Sequence, residues 1–247
     1  MGWLDRLRGK GRPMPPVAEA MAQAAAAAER GDYRAALAIW GPLAHSGVGR
    51  AQNNIGACFA EGLGVARDPA LALRWLTLSA QSGDPVGQRN LAALHFKGEG
   101  VAQSDAEAIR LYRLAAEQGD APAQDMLSWM LLETGNEGDR PEAFRWASAA
   151  AEAGIAASMT RVGMIHHDAL GVERDAVQAA AWWQKGVAAG DADAKAMLGA
   201  ATLLGQGVEK DADRALALLT EAEREGSLLA TPFIKAARAA ASEGAAP

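Results

Sequence analysis

One glycine recurs along this chain at an almost fixed step. Gly83, Gly119, Gly154, Gly190 and Gly226 are separated by 36, 35, 36 and 36 residues, and one step back lands on Gly47. Other columns keep the same step. Ala72, Ala108, Ala143, Ala179 and Ala215 form one, with Ala36 upstream. Ile55, Leu91, Leu127, Val162 and Leu198 form a second, followed directly by the small residues Gly56, Ala92, Ser128, Gly163 and Gly199. Trp75, Leu111, Trp146, Trp182 and Leu218 form a large apolar column. A period of this length marks stacked supersecondary units, each burying its apolar face only against its neighbours. The expectation is one repeat array rather than two globular domains.

The units are helical. Alanine, the strongest helix former, supplies 60 of 247 residues, while Trp, Tyr and Phe number only 7, 2 and 4, too few for a β-sandwich or barrel. In the first full unit, Ala51 to Glu61 reads as one helix, ended by glycines at Gly62 and Gly64. Asp68 fits an N-cap and Pro69 the first helical position. Leu71, Ala72, Trp75, Leu78 and Ser79 then recur at helical spacing until Gly83. Ser104 with Glu107, and Asp175 with Gln178, repeat the cap as a capping box. The third unit departs, with a shorter loop over 134–138 that lacks the valine of Val65, Val101, Val172 and Val208.

The ends differ from the middle, as terminal units facing water should. Residues 1–16 form a basic, proline-containing tail, 17–49 a tighter capping hairpin, 50–227 five repeats, and 228–247 a closing helix and tail. That helix is predicted over Leu228 to Ala241. The count is six helix pairs and one final helix.

Charge narrows the partners. Lys and Arg total 24 against 30 Asp and Glu, a net −6, so a nucleic-acid polyanion is not expected. Arg6, Arg8, Lys10 and Arg12 beside Trp3, Leu4 and Leu7 leave membrane contact to residues 1–12 alone. No apolar core of a signal peptide precedes Pro16, so the expected location is cytoplasmic.

The unit Ala-Gln-x-x-Ile-Gly-x-x-Phe-x-x-Gly-x-Gly-Val-x-x-Asp-x-x-x-Ala-x-x-Trp-x-x-x-Ser-Ala-x-x-Gly, from Ala51 to Gly83, resembles the Sel1-like repeat. That family is related to the tetratricopeptide repeat, whose version the Gly31-Asp32-Tyr33 hairpin resembles. The resemblance implies an all-α, right-handed solenoid of antiparallel helix pairs, used as a non-enzymatic scaffold for a protein or peptide. Some secreted, cysteine-rich members are linked to penicillin binding or hydrolysis. This chain has one cysteine and no S-x-x-K, so a hydrolase is the weaker alternative to a scaffold, as is a scaffold held on a membrane by residues 1–12.

Catalytic and metal signatures are missing from the sequence. There is no G-x-S-x-G, H-E-x-x-H or phosphate-binding G-x-x-x-x-G-K. Adjacent His166 and His167 point about 100° apart on a helix and cannot share a ligand face. His166 reads as a semi-buried spacer and Cys58 as an inert buried thiol. The expectation is therefore no metal, no cofactor and no catalytic residue.

A partner would lie along the first helices, which line the concave face of tetratricopeptide-like arrays. One column there holds Asn53, Arg89, Asp125 and Thr160, and a second holds Ala57, Ala93, Trp129, Met164 and Ala200. The helix ends add Lys97 and His167. Trp129 is the informative residue, because alanine fills its position in three other repeats. It reads either as a binding anchor or as packing over Asn136 or Glu137 beside the short loop. Arg74, Arg110, Arg113 and Arg145 read as solvated charges on the opposite face.

Overall fold

The computed structural model describes residues 16–244. They form α1 (Val17–Glu29), α2 (Tyr33–His45), α3 (Gly49–Glu61), α4 (Pro69–Gln81), α5 (Pro85–Lys97), α6 (Asp105–Glu117) and α7 (Ala121–Glu133). Then come α8 (Arg140–Glu152), α9 (Ala156–Asp168), α10 (Ala176–Ala188), α11 (Ala192–Leu204), α12 (Ala212–Arg224) and α13 (Thr231–Gly244). No strand occurs among the described residues. Consecutive helices pack as pairs, so this is an all-α solenoid of stacked hairpins. The chain divides into two compact units, one ending at Asp120 and the other beginning at Ala121. The basic tail over residues 1–12 lies outside the described residues.

Local chemistry sets the helix starts. Asp68, Ser104, Asp175 and Asp211 each accept the amide three residues on, from Leu71, Glu107, Gln178 and Arg214, at 2.9–3.2 Å. Each also donates its own amide back to the first helix of its pair, as Asp68 does to the Phe59 carbonyl at 2.9 Å. The short loop of the third repeat breaks this pattern. Asp139 makes no side-chain cap. Its carboxylate instead accepts from Thr134 Oγ1 at 3.0 Å, and a 3-10 turn, Glu137–Asp139, is capped by Asn136.

The first helices of most repeats end in the left-handed conformation, at Gly62, Gly98 and Gly205. Glycine adopts it without a Cβ penalty. The fourth repeat places Ala169 there, at φ +57°, the one non-glycine residue with positive φ among the described residues.

Packing inside three of the pairs joins a glycine to a large residue. A Cβ on Gly56 would sit 2.9 Å from Leu76, and one on Gly199 2.8 Å from Leu219. One on Gly163 would sit 2.4 Å from Trp183. The fully buried column is therefore Leu76, Tyr112, Ala147, Trp183 and Leu219. In the neighbouring large apolar column Leu111 and Trp146 are buried, while Trp75, Trp182 and Leu218 pack against the core and keep part of their surface in solvent. One residue along a helix turns the side chain by about 100°, enough to move it off the seam. The last helix also differs, starting at Thr231 after the exposed Leu228.

Candidate functional site

The first-helix column beginning at Asn53 is polar, and within each unit the structure joins these residues to the next repeat. In the first unit, Arg50 of α3 donates to Asp84, the N-cap of α5, at 2.9 Å. Arg89 of α5 holds both carboxylate oxygens of Asp120 at 2.9 and 3.0 Å. Asn53 is buried, accepts from Asn90 at 2.7 Å and donates to Asn54 at 3.2 Å.

The second unit continues the ladder. Thr160 of α9 is buried and donates to Asp191, the N-cap of α11, while its backbone carbonyl accepts from Trp183 Nε1 at 3.2 Å. At the junction of α7 and α9 the N-cap is Ile155, which has no carboxylate. Here Asp125 on the earlier helix is the acceptor, and Ser158 and Arg161 of α9 donate to it, Ser158 at 2.5 Å. Downstream, Ser227 donates to Asp193 at 2.6 Å, and Lys195 holds Glu225 at 2.5 Å and Glu221 at 3.0 Å. These lysine contacts raise the Lys195 pKa and lower that of Glu221.

Asn53, Arg89, Asp125 and Thr160 are thus each engaged within the stack. Their donors and acceptors are used to position successive repeats, which satisfies the buried polar groups of Asn53 and Thr160. The partners of the four residues, Asn90, Asp120, Ser158, Arg161 and Asp191, were not legible as partners in the sequence. The available signal was the acidic residue that follows the periodic glycine at Asp84, Asp120 and Asp191.

The second column is more open. Trp129 and Met164 are partly exposed on α7 and α9, and Met164 packs against the cluster around Trp183. His167 lies with its ring 5.7 Å from Trp183, its Nδ1 2.7 Å from Asp168 and its Nε2 3.1 Å from Gln206. His166 points elsewhere, edge-on to Phe144 at 5.4 Å. Lys97 ends α5 with its side chain in solvent and Glu99 at 3.9 Å. Asn53, Arg89 and Lys97 belong to the first unit, and Asp125, Trp129, Thr160, Met164 and His167 to the second.

Among the described residues, no group of three or more His, Cys, Asp or Glu is placed to hold a metal. Burial pushes the Cys58 thiol up to about 11, which leaves it protonated near neutrality. Among the described residues, no helix is long and apolar enough to cross a membrane.

Comparison with known proteins agrees with this geometry. The Sel1 repeat family matches residues 49–84, 85–120, 121–155, 156–191 and 192–227. A Sel1 repeat protein from Oxalobacter formigenes is similar at 32% identity and a TM-score of 0.73, over 85% of this chain and 86% of that one. The protein c5321, a protective antigen of uropathogenic Escherichia coli with an SLR fold, is similar at 32% identity and a TM-score of 0.81. That similarity covers 89% of this chain and 48% of c5321, so the chain spans about half the length of that relative. No curated protein matches the chain.

Proposed function

The chain belongs to the Sel1 repeat family, and from that premise we propose that it is a non-enzymatic scaffold that recognises a protein or peptide on its first-helix face. The observation that carries the reading is Trp129. It stands partly exposed on α7 at a repeat position where Ala57, Ala93 and Ala200 meet the packing need with a methyl group. A large aromatic that the fold does not require is the residue type that anchors interfaces. Met164 follows it in the same column on α9, and His167 lies one turn further along that helix. The buried polar ladder beneath holds successive first helices in register, so an anchor on them is presented rigidly.

In this reading Arg89 and Asp125 are positioning residues that order the helices, and the partner contacts are Trp129, Met164 and His167 in the second unit. The test is affinity capture on Trp129→Ala and wild type in parallel with urea denaturation. Loss of specifically captured protein, with stability changed by less than about 1 kcal/mol, is expected. Unchanged capture, or a variant destabilised by the several kcal/mol of a core truncation, assigns Trp129 to packing instead.

A further inference from the structure

A concavity of the first unit lies between the second helices α2 and α4, with α3 as its floor. It encloses about 920 Å³. Leu71, Trp75 and Leu78 of α4 form one wall, and Phe59 of α3 lies beneath. Leu78 is 44% exposed, although it is a leucine on a groove wall. The His45 ring of α2 meets Trp75 edge-on at 5.4 Å. Arg67 and Arg74 stand at the rim.

Comparison between repeats shows what is unusual about this groove. Arg74, Arg110 and Arg145 occupy one repeat position on α4, α6 and α8. Three residues earlier stand Leu71, Glu107 and Glu142. Glu107 binds Arg110 through two bonds of 2.8 and 2.6 Å, and Glu142 lies 3.8 Å from Arg145. In α4 the glutamate is replaced by Leu71. Among the described residues, neither Arg67 nor Arg74 has a carboxylate within 4.0 Å. Asp68 is the acid in the lining, and it is engaged in capping α4 through the Leu71 amide at 3.0 Å. The replacement both frees a guanidinium and extends the apolar wall beside it.

We propose that the groove between α2 and α4 docks an acidic-apolar segment of a partner protein, whose carboxylate supplies to Arg74 the charge that Glu107 supplies to Arg110. The apolar side chains of that segment would cover Leu71, Trp75 and Leu78. Arg74 would bind its carboxylate by a charge-assisted contact. The groove between α4 and α6, about 410 Å³ and lined by the neutralised pair Glu107 and Arg110, is the built-in contrast.

The test uses the full chain and two sets of fluorescein-labelled dodecapeptides, one alternating Leu or Phe with Glu, the other alternating the same residues with Lys. Anisotropy and the indole N–H shift of Trp75 are read together. The Glu peptides are expected to bind and to shift Trp75. Arg74→Glu should weaken them at least tenfold and admit the Lys peptides. Leu71→Glu should also weaken them at least tenfold while folding normally, because it rebuilds a pair that α6 already contains. Equal binding of both sets, binding by neither set, or undiminished binding to Leu71→Glu overturns the proposal. A concentration-dependent dimer lost in Arg74→Glu assigns the groove to a second copy instead. Peptide binding that emerges only after deletion of residues 1–15 assigns it to the chain's own N-terminus.

Discussion

Arg161 of α9 reaches back to Asp125 of α7, reversing the sense of the polar contact made at the neighbouring junction. From α9 to α11, Thr160 on the earlier helix donates forward to the N-cap carboxylate Asp191. From α7 to α9 the N-cap is Ile155, and the carboxylate has moved to the earlier helix. The junction keeps one acid and at least one donor, with their positions exchanged.

Removing that acid should be costly. Asp125→Ala leaves the Arg161 guanidinium, only 15% exposed, without its counterion. The expected loss is about 1–3 kcal/mol, below the penalty for a fully buried pair because both side chains keep some solvent contact. Urea denaturation of the two single variants and the Asp125→Ala, Arg161→Ala double variant measures the coupling. A coupling energy near zero would remove the pair from the account of how α7 and α9 are joined.

Gly163 and Trp183 make a sharper test of packing. A methyl at Gly163 would lie 2.4 Å from the indole Nε1 and 2.5 Å from Cδ1, both in the body of a rigid ring. Gly163→Ala should therefore lose about 1–3 kcal/mol through overpacking. Adding Trp183→Leu, which copies the Leu219 found over Gly199, should recover part of the loss. A melt of Gly163→Ala that superimposes on wild type refutes the small-to-large pairing.

Ala169 carries a strain that one substitution relieves. Its φ of +57° is the conformation glycine adopts at Gly62, Gly98 and Gly205. An L-residue there costs about 1–2 kcal/mol, of which glycine's larger unfolded-state entropy returns part. Ala169→Gly should gain roughly 1 kcal/mol net, raising Tm by about 2–4 °C in a chain of this size. Calorimetry showing a lower Tm would mean that the Ala169 methyl contributes more than its backbone costs.

Cys58 predicts a pH dependence. Burial raises its thiol from an ordinary 9.0 to about 11. The unfolded chain therefore releases this proton before the native chain does. The stabilising difference is complete below pH 9 and is lost as pH rises toward 11. Tyr112, pushed up to about 12 by burial, acts in the same direction at higher pH. Melts at pH 8 and pH 10.5 should show a smaller alkaline loss in Cys58→Ala than in wild type. Equal losses in the two proteins would show that the thiol ionises as readily in the native state as in the unfolded one.

The candidate sites were legible in unequal measure. The first-helix columns could be read directly from the period, because every repeat places the same register position on the same helix face. Which of those residues would remain open could not. Asn53 and Thr160 are polar residues on the expected concave face, and the structure buries both in bonds to partners 37 and 31 positions away. Arg74 looked like Arg110 and Arg145, three similar charges. The difference lay in Leu71, a leucine in a glutamate column, and it acquires meaning only when Leu71 is seen to line an open groove beside Arg74.

The sequence by itself determined the repeat length, the helix pairs, the caps at Asp68, Ser104 and Asp175, and the resemblance to the Sel1 repeat. These rest on interactions within about four residues or on a period that copies itself, and both are written along the chain. The tertiary structure alone decided the reversed junction at Asp125, the altered cap at Asp139 and the open groove beside Arg74. Each depends on side-chain direction and on what the neighbouring helix leaves uncovered, and a rotation of one residue's 100° is enough to change the outcome.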